Sequence, residues 1–368
     1  MSTRKEKNGT WTYVVDLGKD EHGKRVQKMK RGFKTKGDAS KAERELLHDF
    51  QSGNYIKPTN LKVEEYMNDW LKRKIYSIAL QTAENYESYL RVHINPAIGH
   101  LKLNELTPLT IENFIMQLRE KSLAESTIKR IYSVLHTALG DAEKTELIRK
   151  NVASMITNKP KENKEATQVW SADEAKKFLK VAKESGRYYI AFLLALSTGM
   201  RQGELLGLRW QDIDFSDNSL KIQQTLSHNG KHLKSGAKTS GSLRTIALDE
   251  GTINELLNHK KMIELEREIK DYEENDLVVC TEVGAPKKSS NISKLFGSLN
   301  KKAKVPKIRF HDLRHTHATL LISLNENVKV VSERLGHSSV QITLDTYTHL
   351  NSSMQKSAAL KIGQLNFC

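Results

Sequence analysis

Six residues of this chain are suited to chemistry on a phosphate: Arg201, Lys238, His311, Arg314, His337 and Tyr347. They lie in the segments TGMRQGE, KTSGSLRT, HDLRHT, LGHSS and TLDTYTH. A phosphodiester is an anion, and a tyrosine phenol, with a pKa of about 10, is a poor nucleophile near neutrality. Attack becomes feasible when cations neutralise both nonbridging oxygens and stabilise the charge added in the transition state. Arginine suits that task, because its planar fork makes two parallel contacts and keeps its charge at any working pH. Arg201 and Arg314 are the candidates.

Each residue also has a plainer reading. Arg201 follows the Thr198–Gly199 break after an apolar helix, where the chain turns; alone it would be a surface charge. His311 and Arg314 are three apart in a predicted helix and share a face, with Leu313 anchoring the apolar side. His311, His315 and His317 form a rival metal-binding set. The absence of a companion Cys or carboxylate cluster and the adjacent Arg314 speak against it. His337 follows Gly336 and precedes Ser338 and Ser339, either of which can cap the helix carrying Tyr347. Tyr347 alone would be a half-buried packing residue, although its polar neighbours Asp345, Thr346 and Thr348 favour exposure. Lys238 lies in a strand–turn–strand segment with Lys231 and Lys234, which compete for any role there. Glu204, one turn after Arg201, is placed to orient it.

Taken in order, the six resemble the tyrosine recombinase (phage integrase) family, and the resemblance extends over nearly the whole chain. Each motif is weak; six in family order over about 147 residues make a strong combination. The resemblance implies that Tyr347 attacks the phosphate to give a 3′-phosphotyrosyl link, with Arg201, Arg314 and His337 holding the phosphate. It implies that Lys238 protonates the departing 5′ oxygen, and that His311 holds the phosphate or helps take the tyrosine proton. The ester stores the bond energy, so no cofactor, metal or ATP is expected. His337 and Tyr347 are ten residues apart. That is one more than in the chromosome-dimer-resolving Xer relatives, and familiar in integrases of phages and mobile elements of Gram-positive bacteria.

The elements that must position these groups fall into regions. Residues 1–58 hold alternating runs (Trp11, Tyr13, Val15, then Val26 to Phe33) and a helix from about Ala39 to Phe50, which predicts a small α+β domain. Residues 1–41 carry 12 Lys/Arg against 5 Asp/Glu, and the resemblance implies an arm-type DNA-binding role. Residues 60–156 read as all helical: Val63, Tyr66, Met67 and Trp70, then Tyr86, Leu90 and His93, recur at helical spacing, with further helices over 109–120 and 125–146 and Pro96 and Pro108 as breakers. The resemblance makes this a core-binding domain; an ordinary helical bundle fits the residues equally well. Residues 157–168 contain no large apolar side chain and read as a linker. Ser171 and Glu174 form a capping box that opens a mainly-α catalytic domain, 169–368, with a small antiparallel sheet within 212–247. Tyr188 and Tyr189, on an apolar helix, read as core.

Bulk properties set the outer limits. The chain of 368 residues has a net charge of +15 and a pI near 9.5, which calls for a polyanionic partner. No apolar run approaches the roughly 20 residues of a membrane span. Cys280 and Cys368 offer neither a disulfide framework nor zinc spacing, and no phosphate-binding GxxxxGK[ST] loop is present. A cytoplasmic, DNA-associated recombinase that acts as a homotetramer on attachment sites is expected, with an excisionase partner and possible help from a DNA-bending host protein. The alternatives are a catalytically silent DNA-binding regulator and a type IB topoisomerase-like enzyme.

Overall fold

The structure is a computed structural model that describes residues 2–19, 25–51, 60–161, 168–227, 230, 232–235, 243–268 and 271–347. The chain divides into two compact units, Met1–Glu165 and Ala166–Cys368.

The first unit contains two separate hydrophobic cores. Strands β1 (Ser2–Lys5), β2 (Trp11–Lys19) and β3 (Arg25–Phe33) form an antiparallel meander in that order, and helix α1 (Lys36–Gln51) packs on it. Period-two alternation sends Tyr13, Val15 and Leu17 to the covered face, where Phe33, Leu46 and Leu47 meet them. Lys36 of α1 lies 5.9 Å from the Trp11 ring and Lys30 of β3 5.7 Å from Phe33, so cations stand over aromatic rings in this small domain.

The second core belongs to helices α2 (Val63–Lys74), α3 (Leu80–Tyr89), α4 (Asn95–Ile98), α5 (Pro108–Glu120) and α6 (Glu125–Lys144). The predicted stripe Val63, Tyr66, Met67 and Trp70 is buried. Its polar tips are satisfied: the Tyr66 hydroxyl donates to the Ala138 carbonyl (2.6 Å) and the Trp70 indole to Asp141 (2.9 Å). Pro108 opens α5 at its first position, where its missing N–H costs nothing, and so bounds that helix as expected. Pro96 corrects the expectation that it breaks one: the helical run from α3 continues through a π-type turn into α4, which contains it. His93 falls in a single π-type turn, Leu90–Ile94, between α3 and α4.

In the second unit, Ser171 caps α7 (Ala172–Glu184) through the expected box with Glu174. Helix α8 (Tyr189–Thr198) is apolar almost all round and runs through the core, so its other neighbours pack on every side. Trp170, Phe178, Phe192, Phe296 and Phe310 form a continuous aromatic cluster beside it, with ring centroids 4.9–6.1 Å apart. Tyr188 and Tyr189 are only partly buried at its start, under Lys287 and Lys183. After the short α9 (Gln202–Leu206) come β4 (Ile213–Asp214), β5 (Ser219–Ile222), β6 (Gln224–Leu226), β7 (Leu233–Ser235) and β8 (Arg244–Ala247). They form an antiparallel β4–β5–β8 sheet and a β6–β7 hairpin. Helices α10 (Glu250–Glu266), α11 (Ser289–Ala303), α12 (Asp312–Ser323), α13 (Val328–Leu335) and α14 (Val340–Tyr347) complete the unit. The fold is therefore multidomain and mainly helical with small antiparallel sheets, as the sequence reading expected.

Candidate active site

Two left-handed glycines shape the site. Gly199 ends α8 at φ +66°, and Gly336 ends α13 at φ +66°. At the second, the Gly336 and His337 amides donate to the Glu333 and Ser332 carbonyls, 2.9 and 3.1 Å away. This paired closure is the Schellman pattern, and it delivers His337 in the first position beyond the helix. At the first glycine, the carbonyl accepts from Arg314 Nη1 at 2.8 Å, across 115 residues of sequence. An added Cβ at Gly199 would come within 2.7 Å of both His317 and Leu335. A Gly199→Ala protein should lose more than about 1 kcal/mol from the left-handed conformation alone, and cleavage should fall further as the Arg314 anchor shifts. Urea denaturation and single-turnover cleavage measure the two effects; an alanine protein of unchanged stability would refute the role given to this turn.

Arg201 immediately precedes α9, and its partner is Glu204, three residues on in that helix. The carboxylate accepts from the Arg201 amide and from its Nη1, both at 2.9 Å. Arg201 Nη2 donates to the Gly336 carbonyl at 3.0 Å, beside His337. With its side chain 40% exposed, the guanidinium remains accessible to a ligand. Glu204 does orient Arg201, and it does more. It also takes a two-pronged contact from Arg244 (3.2 and 2.9 Å), whose Nε donates to the Arg334 carbonyl. Burial pushes the Glu204 carboxyl up, but Arg244 and Arg201 outweigh it and hold the group below its usual value. Glu204 is thus the anionic hub joining β8, α9 and the end of α13. The sequence reading missed Arg244, because no local spacing marks a partner forty residues away.

Arg314 is buried on α12, whereas His311 stands just before that helix, as its N-terminal flanking residue. The expectation that both lie within one helix is therefore adjusted by one position. The His311 and His315 rings meet edge to face at 5.3 Å. Burial first, then His315 and Arg314, lower His311; its exposed face lets water offset part of that pull. His337 is pushed down to about 4, by burial first and then by Arg314 and Arg201. Its Nδ1 lies 2.7 Å from Thr343 Oγ1 on α14. Arg201, Arg314, His311 and His337 are thus brought together, with neutral imidazoles among permanent cations. Tyr347 lies on α14, and its side chain lies outside the described residues, as do Lys238 and Lys231. Lys234 lies on β7.

His317 belongs to another arrangement, which removes it from any shared metal set with His311 and His315. Arg334 Nε donates to its Nε2 (3.2 Å), so that nitrogen carries the lone pair and Nδ1–H donates to the Leu196 carbonyl (2.7 Å). Arg334 also reaches the Ser197 carbonyl, so both side chains complete the end of α8. Burial, then Arg334, push His317 down to about 4. A neutral imidazole in the fold and a pKa of about 6.5 in the unfolded chain mean that the unfolded state binds the extra proton between those values. The stabilisation is full above pH 6.5 and is lost as pH falls toward 4, on the order of 3 kcal/mol in all. Urea unfolding at pH 7.5 and 5.0 should show a smaller pH dependence in His317→Gln than in the parent. Equal slopes would count against this account.

Comparison with known proteins supplies the context. Residues 168–354 match the phage integrase family, 1–50 an arm DNA-binding domain and 62–119 the phage integrase N-terminal SAM-like domain. A tyrosine recombinase XerC-like protein of Caldanaerobacter subterraneus subsp. tengcongensis is 30% identical, over 98% of this chain and 97% of that protein. The ICEBs1 integrase of Bacillus subtilis is 26% identical, over 99% and 100%. Among solved structures, the Tn1549 transposon integrase in complex with a circular intermediate DNA aligns with a TM-score of 0.69 at 21% identity, over 82% of this chain and 99% of that one. With the family profile covering the whole cation cluster and a full-length relative at 30% identity, the chain belongs to the phage integrase family of tyrosine recombinases.

Proposed function

We propose that this chain integrates a mobile element, and also excises it, by transesterification at Tyr347. Tyr347 Oη attacks the scissile phosphorus; the P–O5′ bond breaks, and its electron pair goes to the 5′ oxygen. Lys238 supplies the proton to that oxygen, and the phenol gives up its own with help from His311. The products are a 3′-phosphotyrosyl link and a free 5′ hydroxyl. A 5′ hydroxyl from a partner duplex then reverses the step and joins the exchanged strands. Two such exchanges pass through a Holliday junction and use four protomers.

The observation that carries this reading is the pair Arg201–Arg314 around a neutral His337, linked through Thr343 to the helix that carries Tyr347. A fixed positive fork on each side suits the two nonbridging oxygens, and a neutral N–H adds a donor without adding charge. Within this reading, residues 1–58 bind arm-type sites and 60–156 grip the core site. Residues 157–168 link them to a catalytic domain at 169–368. Partners are double-stranded DNA, three further copies of the chain, an excisionase and a DNA-bending host protein. The setting is bacterial cytoplasm; no helix among the described residues is long and apolar enough to cross a membrane.

The test is covalent trapping. The full chain is incubated with nicked duplexes from the ends of its element, in chelator and without ATP, and resolved under denaturing conditions. A protein–DNA adduct whose DNA-bearing peptide contains Tyr347 is expected. No adduct on duplexes that the protein binds would move the reading to a silent DNA-binding regulator. Relaxation of any plasmid without a site pair would move it to a topoisomerase-like enzyme.

A further inference from the structure

Thr343 is fully buried, on the turn of α14 just before Tyr347. Tyr347 follows four positions on, so the two positions stand one helical turn apart on the same side of α14. Among the described residues, the hydrogen-bond partner of the Thr343 hydroxyl is the His337 ring, with Oγ1 2.7 Å from Nδ1. Two proton arrangements are possible in principle. If Nδ1–H donated to Thr343, the buried hydroxyl proton would need a second acceptor. Leaving a buried donor unmade costs about 1–3 kcal/mol. If the hydroxyl donates instead, its proton is satisfied and Nδ1 supplies the lone pair. The second arrangement satisfies both groups, and a neutral imidazole with its lone pair on Nδ1 carries its hydrogen on Nε2.

We propose that Thr343 is a positioning residue, whose hydroxyl donates to His337 Nδ1, fixes the Nε2–H tautomer for the phosphate and ties the tyrosine helix to the turn after Gly336. The inference rests on the functional reading above for what the Nε2–H meets. The tautomer itself belongs to the free protein. The arrangement makes chemical sense of the local electrostatics: beside Arg201 and Arg314 an imidazolium is disfavoured, so His337 can serve as a donor only if its one hydrogen sits on the ligand-facing nitrogen. A hydroxyl behind the ring enforces that choice. It does so from the helix that carries the nucleophile, so placement of Tyr347 and orientation of His337 are set by one contact.

The experiment uses full-length protein labelled with nitrogen-15 in histidine, with His337 assigned through a His337→Gln control. Long-range nitrogen–proton correlation in the free protein should show protonated Nε2 in the parent and in Thr343→Ser. A mixed or Nδ1–H tautomer is expected in Thr343→Val, which keeps the shape and removes the hydroxyl. Single-turnover cleavage of the nicked duplex should slow by about ten- to a hundredfold in the valine protein, the range for partners that orient functional imidazoles. DNA affinity should be unchanged, and serine should restore the rate. A valine protein that retains the Nε2–H tautomer would overturn the proposal even if cleavage fell, because the threonine would then act by packing alone. A parent protein protonated on Nδ1 would overturn it outright. If no DNA is cleaved at all, the functional reading fails, and the nitrogen spectrum still decides the tautomer.

Discussion

The Tyr347→Phe protein should bind its DNA with unchanged affinity and form no covalent adduct, a loss of more than about 10⁴-fold in cleavage. The substitution removes one oxygen and keeps the ring, so α14 should pack as before. The argument turns on what could replace that oxygen. The described cluster supplies cations and neutral imidazoles: arginine is a permanent cation, and His337 is beside both Arg201 and Arg314. An imidazole is a possible nucleophile in principle, but His337 has Nδ1 engaged by Thr343, and Nε2 is the donor in the proposed tautomer. Water attack remains open and would give a nick without an adduct. Nicking at the same phosphate by Tyr347→Phe would therefore show a working phosphate clamp with the nucleophile removed. Covalent adducts from Tyr347→Phe would sink the assignment of Tyr347.

Local signals in the sequence proved readable where the physics is local. Ser171 and Glu174 lie three apart and cap α7 as a box, because both partners sit within one turn. The stripe Val63, Tyr66, Met67 and Trp70 is buried because a helix has only one way to present that spacing. The two left-handed glycines likewise announce the ends of α8 and α13, and hence where Arg201 and His337 emerge. Pro108 bounds its helix as read, but Pro96 was misread as a breaker, since the helical run passes through it after a π-type turn that spacing alone does not announce.

What spacing could not reveal is long-range pairing. Glu204 was legible as the partner of Arg201, three residues away. Its stronger contact is with Arg244, forty residues on, and nothing in a chain with 59 lysines and arginines singles that one out. The same holds for Thr343, which looks like any polar residue in an amphipathic turn until His337 is placed behind it. His317 was grouped with His311 and His315 by proximity in sequence. In the fold it faces Arg334 and the end of α8, because neighbouring residues on a helix point to different sides. Motif order located the cluster; the hydrogen bonds that tune it come from tertiary structure.

Arg314 is where those two kinds of information meet, and replacing it should have the second largest effect. Its guanidinium is buried, held by the Gly199 carbonyl, and it lowers the pKa of His311, His315 and His337 alike. Removing one preorganised donor of this kind costs about a hundred- to a thousandfold in rate. Arg314→Ala should reach at least that range, since charge and anchor are lost together. Arg314→Lys should recover little: a single ammonium cannot meet the Gly199 carbonyl and a phosphate oxygen with the geometry of a fork. DNA affinity should change only severalfold, because the remaining basic surface is untouched.

A second readout separates this account from simple misfolding. Taking a positive charge away from His337 lets its pKa rise from about 4 toward the ordinary histidine value. The imidazole then becomes charged at a higher pH than in the parent, so the acidic limb of the cleavage profile should move upward in Arg314→Ala. A folded alanine protein with an unshifted acidic limb would mean that His337 does not feel Arg314. A lysine protein that cleaves within about tenfold of the parent would mean that charge alone, and not the fork, is what the phosphate requires.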